Sequence, residues 1–391
     1  MEQKIDKINF IKSKILLGSF GNGKFFGYKK KKLVSIVEIK TSNNLVGYGE
    51  SLVGTYSPDL YKINLNYLKK FFLGKTPEDS LKIIKELQIN KFFFNTGILK
   101  STLASIEIGI INLISIKRKE TFAQSINRIY CSSKLKEQNY IKVYASAGSI
   151  KSNLKKIKCD IEKSFSMGIN TIKIRLDISK DYQKKILLLK KKNINYAVDL
   201  ISNTFENNRN QKKLNKFLNF VKFYNPIWIE EVLNVNDLHF FPQIKKKFKK
   251  IIFSYGENFN SFSEFYNLAK FQKFQYLNID IGHISIFEII EIIKIIKKEK
   301  LKTKIILHCW GGVINLHSSF ELASLFKREI EMVEVPIVDF SLNNNYISKL
   351  KILKSKLNIN YVDRKNLSKF YQDHIKNNLA IKKNRYEFKF K

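Results

Sequence analysis

The sequence predicts an α/β barrel, TIM-like and modified from the (β/α)8 plan, preceded by a separate α+β domain. Three observations carry that prediction. From about residue 140, short apolar or β-branched runs alternate with longer Lys-rich segments of helical period. There are eight such runs, the number needed to close this kind of barrel. Polar residues end them, and from Lys173 to Glu334 those residues fall 23 to 31 positions apart, the length of one strand and its return helix.

Taken in order, residues 32–51 (KLVSIVEIKTSNNLVGYGES) hold two alternating runs around SNN, which predicts a hairpin. Residues 101–120 (STLASIEIGIINLISIKRKE) have the period of an amphipathic helix, and together these define an α+β domain over 1–135. The barrel strands follow as IKVYAS (141–146), TIKIR (171–175), NYAVD (195–199), PIWIEE (226–231), KIIFSYGE (250–257), YLNID (276–280), KIILHCW (304–310) and EMVEVP (331–336). Between them, SKDYQKKILLLKKKN (179–193) and SIFEIIEIIKIIKKEK (285–300) place apolar residues at helical spacing with Lys on the other side. The barrel is expected to span 136–358. The tail, 359–391, is polar and Lys-rich with YEFKF near its end, and is expected to return to the first domain as a strand.

With 391 residues, 44% hydrophobic and 13% aromatic, the chain can bury a large core. Its net charge of +37 points to a polyanionic partner only if the cations cluster. They do not: they are mostly Lys, spread from end to end among abundant Ile, Asn, Phe and Tyr, as an AT-rich genome encodes. No basic stripe with interleaved aromatics stands out, so no nucleic-acid partner is expected, and KKKK (29–32) and KKKFKK (245–250) read as solvated faces. Cys131, Cys159 and Cys309 are odd in number, far apart and without a CxxC pair, which argues against zinc or a redox couple and fits a reducing cytoplasm. No signal-peptide core begins the chain and no apolar run approaches the ~20 residues of a membrane span, so a cytoplasmic protein without a membrane partner is expected.

In TIKIRLD (171–177), Lys173 and Arg175 share one strand face, an arrangement that calls for an anion in front of them. Side chains at the carboxyl ends of barrel strands converge on one mouth, where such barrels carry their chemistry. Asp199, Glu230 and Glu257 would meet there from three consecutive strands. A lone carboxylate commonly pairs with Lys or Arg. Three in register repel unless a hard cation neutralises them, and an all-oxygen set favours Mg2+ over Zn2+. The cations would then face that cluster and a substrate carboxylate, with Lys173 holding a carboxylate oxygen and Arg175 deeper or beside the carbon that loses its proton. His308 ends the seventh strand and Asp280 the sixth, so Asp280 can bind one imidazole nitrogen and leave the other to move a proton. A single strand-end His is as often structural; the acidic neighbour and the metal across the mouth favour catalysis. Glu334 is either a protonated donor to an enolate oxygen or a salt-bridged rim residue. A metal stabilising an enolate, with bases beside the α-carbon, is the resulting scheme.

The motifs LVGYGES (45–51), IKIR after MGI (167–175), VD (198–199), WIEE (228–231), GENFNSFSEF (256–265), NIDIGHIS (278–285) and HCWGG (308–312) occur in the order seen in the mandelate racemase branch of the enolase superfamily, which the chain resembles over most of 32–336. GENFNSFSEF and HCWGG look most like its sugar-acid dehydratases. The resemblance implies Asp199, Glu230 and Glu257 as Mg2+ ligands, Asp280 and His308 as a catalytic dyad, Lys173 and Arg175 at the Lys-x-Lys positions, and Glu334 as the electrophile. It further implies that the α+β domain caps the barrel, that loops near 18–30 and 50–58, including Tyr56, screen the substrate, and that Trp310 contacts it. Assembly as a homo-oligomer is expected.

Several residues depart from that pattern. Arg175 stands where the base is usually Lys, and a guanidinium with pKa above ~12 accepts no proton at neutral pH. DLISN, EEV and Ser285-Ile286 depart in the loops rather than in the ligands. The expected activity is dehydration of a sugar acid to its 2-keto-3-deoxy product, driven by His308 alone. The alternatives are a racemase or epimerase of a 2-substituted carboxylate, and an inactive basic binding protein.

Overall fold

The computed structural model of the chain describes residues 3–16, 31–89, 97–131, 135–148, 150, 152–178, 181–201, 211–337, 346–361, 364 and 371. The first unit is an antiparallel sheet in the order β1 (Ile5–Leu16), β2 (Lys31–Thr41), β3 (Val46–Ser51). The predicted SNN hairpin joins β2 to β3, with Asn44 at φ 68°, a left-handed turn position this residue tolerates well. The helix predicted over 101–120 runs from Gly97 to Arg118 and lies across β3. Two glycines make that approach possible: a Cβ on Gly49 would stand 1.8 Å from the Ser105 carbonyl, and one on Gly47 would stand 2.3 Å from that of Gly109. The VGYG text is thus a close-packing surface.

Contrary to expectation, this helix is long and apolar enough to cross a bilayer by length and composition, with a mean hydropathy of 1.5. However, 83% of that window is buried inside the fold, where it forms the centre of the capping unit's core.

The barrel closes as predicted. Eight parallel strands, β4 (Tyr140–Ala147), β5 (Thr171–Arg175), β6 (Asn195–Asp199), β7 (Ile229–Glu230), β8 (Phe253–Tyr255), β9 (Tyr276–Asp280), β10 (Lys304–His308) and β11 (Ile330–Pro336), pair in sequence, and β11 returns to β4. Tyr144, Ala197, Trp228 and Ile306 fill the barrel interior, with Tyr144 edge-on to Trp228 at 5.0 Å.

Two strands are shorter than the sequence predicts. The fourth pairs only at Ile229–Glu230 because Glu231 turns to φ 53°, and the fifth ends at Tyr255 because Gly256 adopts φ 124°. Glu257 therefore lies beyond its strand rather than at its end. One hairpin was not foreseen: β12 (Lys351–Leu353) and β13 (Lys356–Asn358) join through Lys354 and Ser355, both at positive φ, and β13 pairs antiparallel with Tyr140–Lys142 of β4. Further on, Arg364 bridges Glu321 and Glu137, and the Tyr371 ring packs edge-on to Tyr48 of β3 at 6.4 Å. The proposed YEFKF strand and the loop near 18–30 lie outside the described residues.

Candidate active site at the mouth of the barrel

Parallel register builds the site. It sets Arg175 beside Asp199, Asp199 beside Glu230, and Asp280 beside His308. Side chains from five different strands therefore meet at the barrel mouth.

Lys173 is fully buried at the centre, its Nζ 2.6 Å from Glu230 Oε1, 3.4 Å from Glu334 Oε1 and 3.6 Å from Asp199 Oδ2. Burial alone would lower its pKa; the carboxylates of Glu230, Glu334 and Asp199 outweigh that and hold it raised. It is a fixed cation in a nest of anions. Arg175 Nε lies 3.4 Å from Asp199 Oδ2, one Nη donates to the Gly148 carbonyl at 3.2 Å, and the guanidinium stands 5.0 Å from the Trp310 ring centre. Burial opposes its charge, yet Asp199 and Glu334 raise its pKa further, so it accepts no proton.

Asp199, Glu230 and Glu257 each bring a carboxylate oxygen within 4.8 Å of the other two. Glu230 Oε2 accepts from Trp228 Nε1 at 3.0 Å, and Asp199 Oδ2 is buried without a hydrogen-bond donor. Burial pushes the Glu230 carboxyl up to about 7, Lys173 opposing and the neighbouring carboxylates adding to the rise; burial also raises Glu257. So much negative charge in a dry site, presented by oxygen atoms alone with one buried oxygen left undonated, fits a hard divalent cation such as Mg2+. Such an ion, held by these three carboxylates, would supply Lewis-acid positive charge at the barrel mouth.

Across the mouth, His308 Nδ1 is 2.7 Å from Asp280 Oδ2, and the other Asp280 oxygen accepts from the Gly282 N–H at 2.7 Å. The carboxylate thereby holds the proton on Nδ1 and turns Nε2 toward Glu257 at 3.4 Å and Glu334 at 3.7 Å. Burial opposes protonation, but Glu334, the bond to Asp280 and Glu257 together hold the imidazole up to about 9. Neutralising the facing carboxylates would weaken the hold on that proton.

Glu334 is salt-bridged, its Oε1 3.4 Å from Lys173 Nζ and its Oε2 3.7 Å from His308 Nε2. It is fully buried, which removes a rim role. Despite burial, Lys173, His308 and Arg175 hold its carboxyl down to about 2. It takes hydrogen bonds from the Cys309 N–H at 3.1 Å and the Tyr144 hydroxyl at 3.4 Å. Tyr56 ends the one-turn helix Val53–Tyr56 with 43% of its surface exposed, and desolvation, Glu257 and Asp280 raise the pKa of its hydroxyl. Trp310 is half-buried behind Arg175.

Sequence reasoning missed three supports. Trp228 and Tyr144 reach Glu230 and Glu334 from the barrel interior, and the signal was an aromatic at an inward strand position. Glu231, the second acid of WIEE, is fully buried and accepts from the N–H groups of Gly256 at 2.8 Å and Glu257 at 3.4 Å, locking the turn that carries the third carboxylate.

No protein-family model and no curated protein matches this sequence. Its fold does match solved structures. An enolase superfamily member from Agrobacterium tumefaciens superposes with TM-score 0.74 at 14% identity over 92% of this chain and 94% of that one. L-talarate dehydratase from Polaromonas sp. JS666, complexed with Mg and L-glucarate, gives 0.71 at 15% over 92% of each. The 3,6-anhydro-D-galactonate cycloisomerase from Zobellia galactanivorans gives 0.72 at 16% over 91% and 94%. The chain has the fold of the enolase superfamily.

Proposed function

We propose that this chain is a Mg2+-dependent member of that superfamily, a cytoplasmic hydro-lyase that converts a sugar acid to its 2-keto-3-deoxy product. The observation that carries the reading is the asymmetry of the mouth: one His–Asp dyad opposite a three-carboxylate cluster, and an Arg where a second base would stand. The neighbour crystallised with Mg and L-glucarate supports the substrate class.

In this scheme Lys173 and Arg175 hold and orient the substrate carboxylate, drawn toward the carboxylate cluster once that cluster is neutralised. His308 Nε2 takes the α-proton, breaking the C–H bond, and Asp280 balances the imidazolium charge. The same Nε2 returns the proton to the β-hydroxyl; the C–O bond breaks, water leaves, and the enol tautomerises to the 2-keto acid. Arg175 cannot relay a proton on the opposite face. Trp310 and Tyr56 shield the site from solvent.

The test is incubation of the purified protein with Mg2+ and a panel of aldonates and aldarates, assayed for 2-keto product. His308→Asn should keep fold and metal affinity and lose about 10²–10⁴ in turnover. No 2-keto product across the panel would overturn dehydration. Exchange of the α-proton in D2O without loss of hydroxyl would instead identify an epimerase.

A further inference from the structure

The capping unit reaches the barrel at the two loops that follow the dyad. Glu50, at the end of β3, is fully buried, and its carboxylate accepts the backbone N–H groups of Gly312, through a short bond, and of Asn315 at 3.2 Å. Those groups open the helix Val313–Leu325, directly after the His308–Cys309–Trp310 segment. The unpaired amides of a helix start favour an anion there, so the charge that Glu50 loses in hydration is recovered from the backbone.

Two residues on, the Leu52 N–H donates to the Gly282 carbonyl at 3.1 Å, and Ser101 Oγ, from the cap's long helix, donates to the same oxygen at 2.5 Å. Gly282 in turn gives its own N–H to Asp280 Oδ1. The packing leaves no slack: a Cβ on Gly282 would lie 2.9 Å from Leu52 N and 3.0 Å from Asp280 Oδ1, and one on Gly311 would lie 2.8 Å from Glu50 Oε1.

We infer that Glu50 is a positioning residue for proton transfer: docked from the cap, it holds the backbone after His308 while its neighbours Leu52 and Ser101 hold the backbone after Asp280, so the dyad is assembled only when the cap is seated. The inference rests on the reading of His308 as the proton-moving group. Glu50 itself touches no reacting atom.

The test uses the full chain, deuterated and labelled with 15N only at histidine, of which there are five. The His308 Nδ1–H signal is assigned by its absence in His308→Asn. Glu50→Gln keeps one acceptor but turns an amide N–H toward an amide N–H. It should speed solvent exchange of that signal at least about tenfold, leaving the far-UV circular dichroism and the Mg2+-induced thermal shift as in the parent. On whichever sugar acid is turned over, kcat should fall at least about tenfold with KM within about twofold.

An unchanged exchange rate with kcat within twofold overturns the proposal. If no sugar acid is turned over, the functional reading fails, and the exchange rate decides the positioning role alone. Should Glu50→Gln not fold, Ser101→Ala provides the second arm: faster exchange of the same signal supports the proposal, and an unchanged signal overturns it.

Discussion

Lys173 illustrates what burial does to a charge. A lone buried ammonium would lose its proton; three carboxylates within 3.6 Å keep it cationic. The carboxylates need it equally, because together with Arg175 it offsets only part of their charge. Glu230 should therefore govern cation binding. In the parent protein Mg2+ at about 100 times its Kd should stabilise the fold by about 2.7 kcal/mol. In Glu230→Gln that increment should nearly vanish, measured as the shift in unfolding temperature with and without Mg2+. An equal shift in both proteins would remove Glu230 from the ligand set. Lys173 and Glu334 lie far apart in sequence, yet their side chains come within 3.4 Å of each other.

Among the elements, the junction of β3 with the helix Gly97–Arg118 depends on missing side chains. Replacing Gly49 by Ala puts a methyl group 1.8 Å from the Ser105 carbonyl, so strand and helix must separate. Overpacking of this kind costs about 1–3 kcal/mol or more, and backbone contact places Gly49→Ala at the upper end. Urea unfolding would measure it; a midpoint equal to that of the parent protein would show that the junction yields without cost. The hairpin β12–β13 lacked any such signal in sequence. Its strands are three residues long and its turn is Lys354-Ser355 rather than Asn-Gly, so pairing with β4, not local propensity, creates it.

For the whole molecule, the contact between cap and barrel couples stability to pH through Glu107. This buried carboxylate of the long cap helix accepts from the N–H groups of Ile286 at 2.7 Å and Phe287 at 3.1 Å at the start of a barrel helix, and from the Tyr130 hydroxyl at 2.5 Å. Burial raises its carboxyl from 4.5 to about 7, with the hydrogen bonds opposing. A folded-state pKa above the unfolded value means the native state binds the proton more tightly. The resulting stability is present below pH 4.5 and lost as pH rises through about 7, a change of about 3 kcal/mol. Glu107→Gln mimics the protonated form, so its advantage over the parent should grow across that window. A difference in unfolding free energy that stays constant from pH 5 to 8 would contradict this.

Much of this molecule was legible in one dimension. Strand-and-helix periodicity, repeated at nearly constant spacing, determined the barrel, because hydrophobic period and chain length are local quantities. The polar residues ending those strands followed for the same reason: register in a closed parallel sheet brings strand ends to one rim, so Asp199, Glu230, Asp280 and His308 could be named in advance. What only the tertiary structure decided depends on distance through space. The ion pairs of Glu334, the burial of the apolar cap helix, the support that Glu231 gives the turn before Glu257, and the reach of Glu50 across to the His308 loop all arise from groups far apart in the chain. Coulomb energy, desolvation and close packing act over a few ångströms of space, whatever the number of residues between.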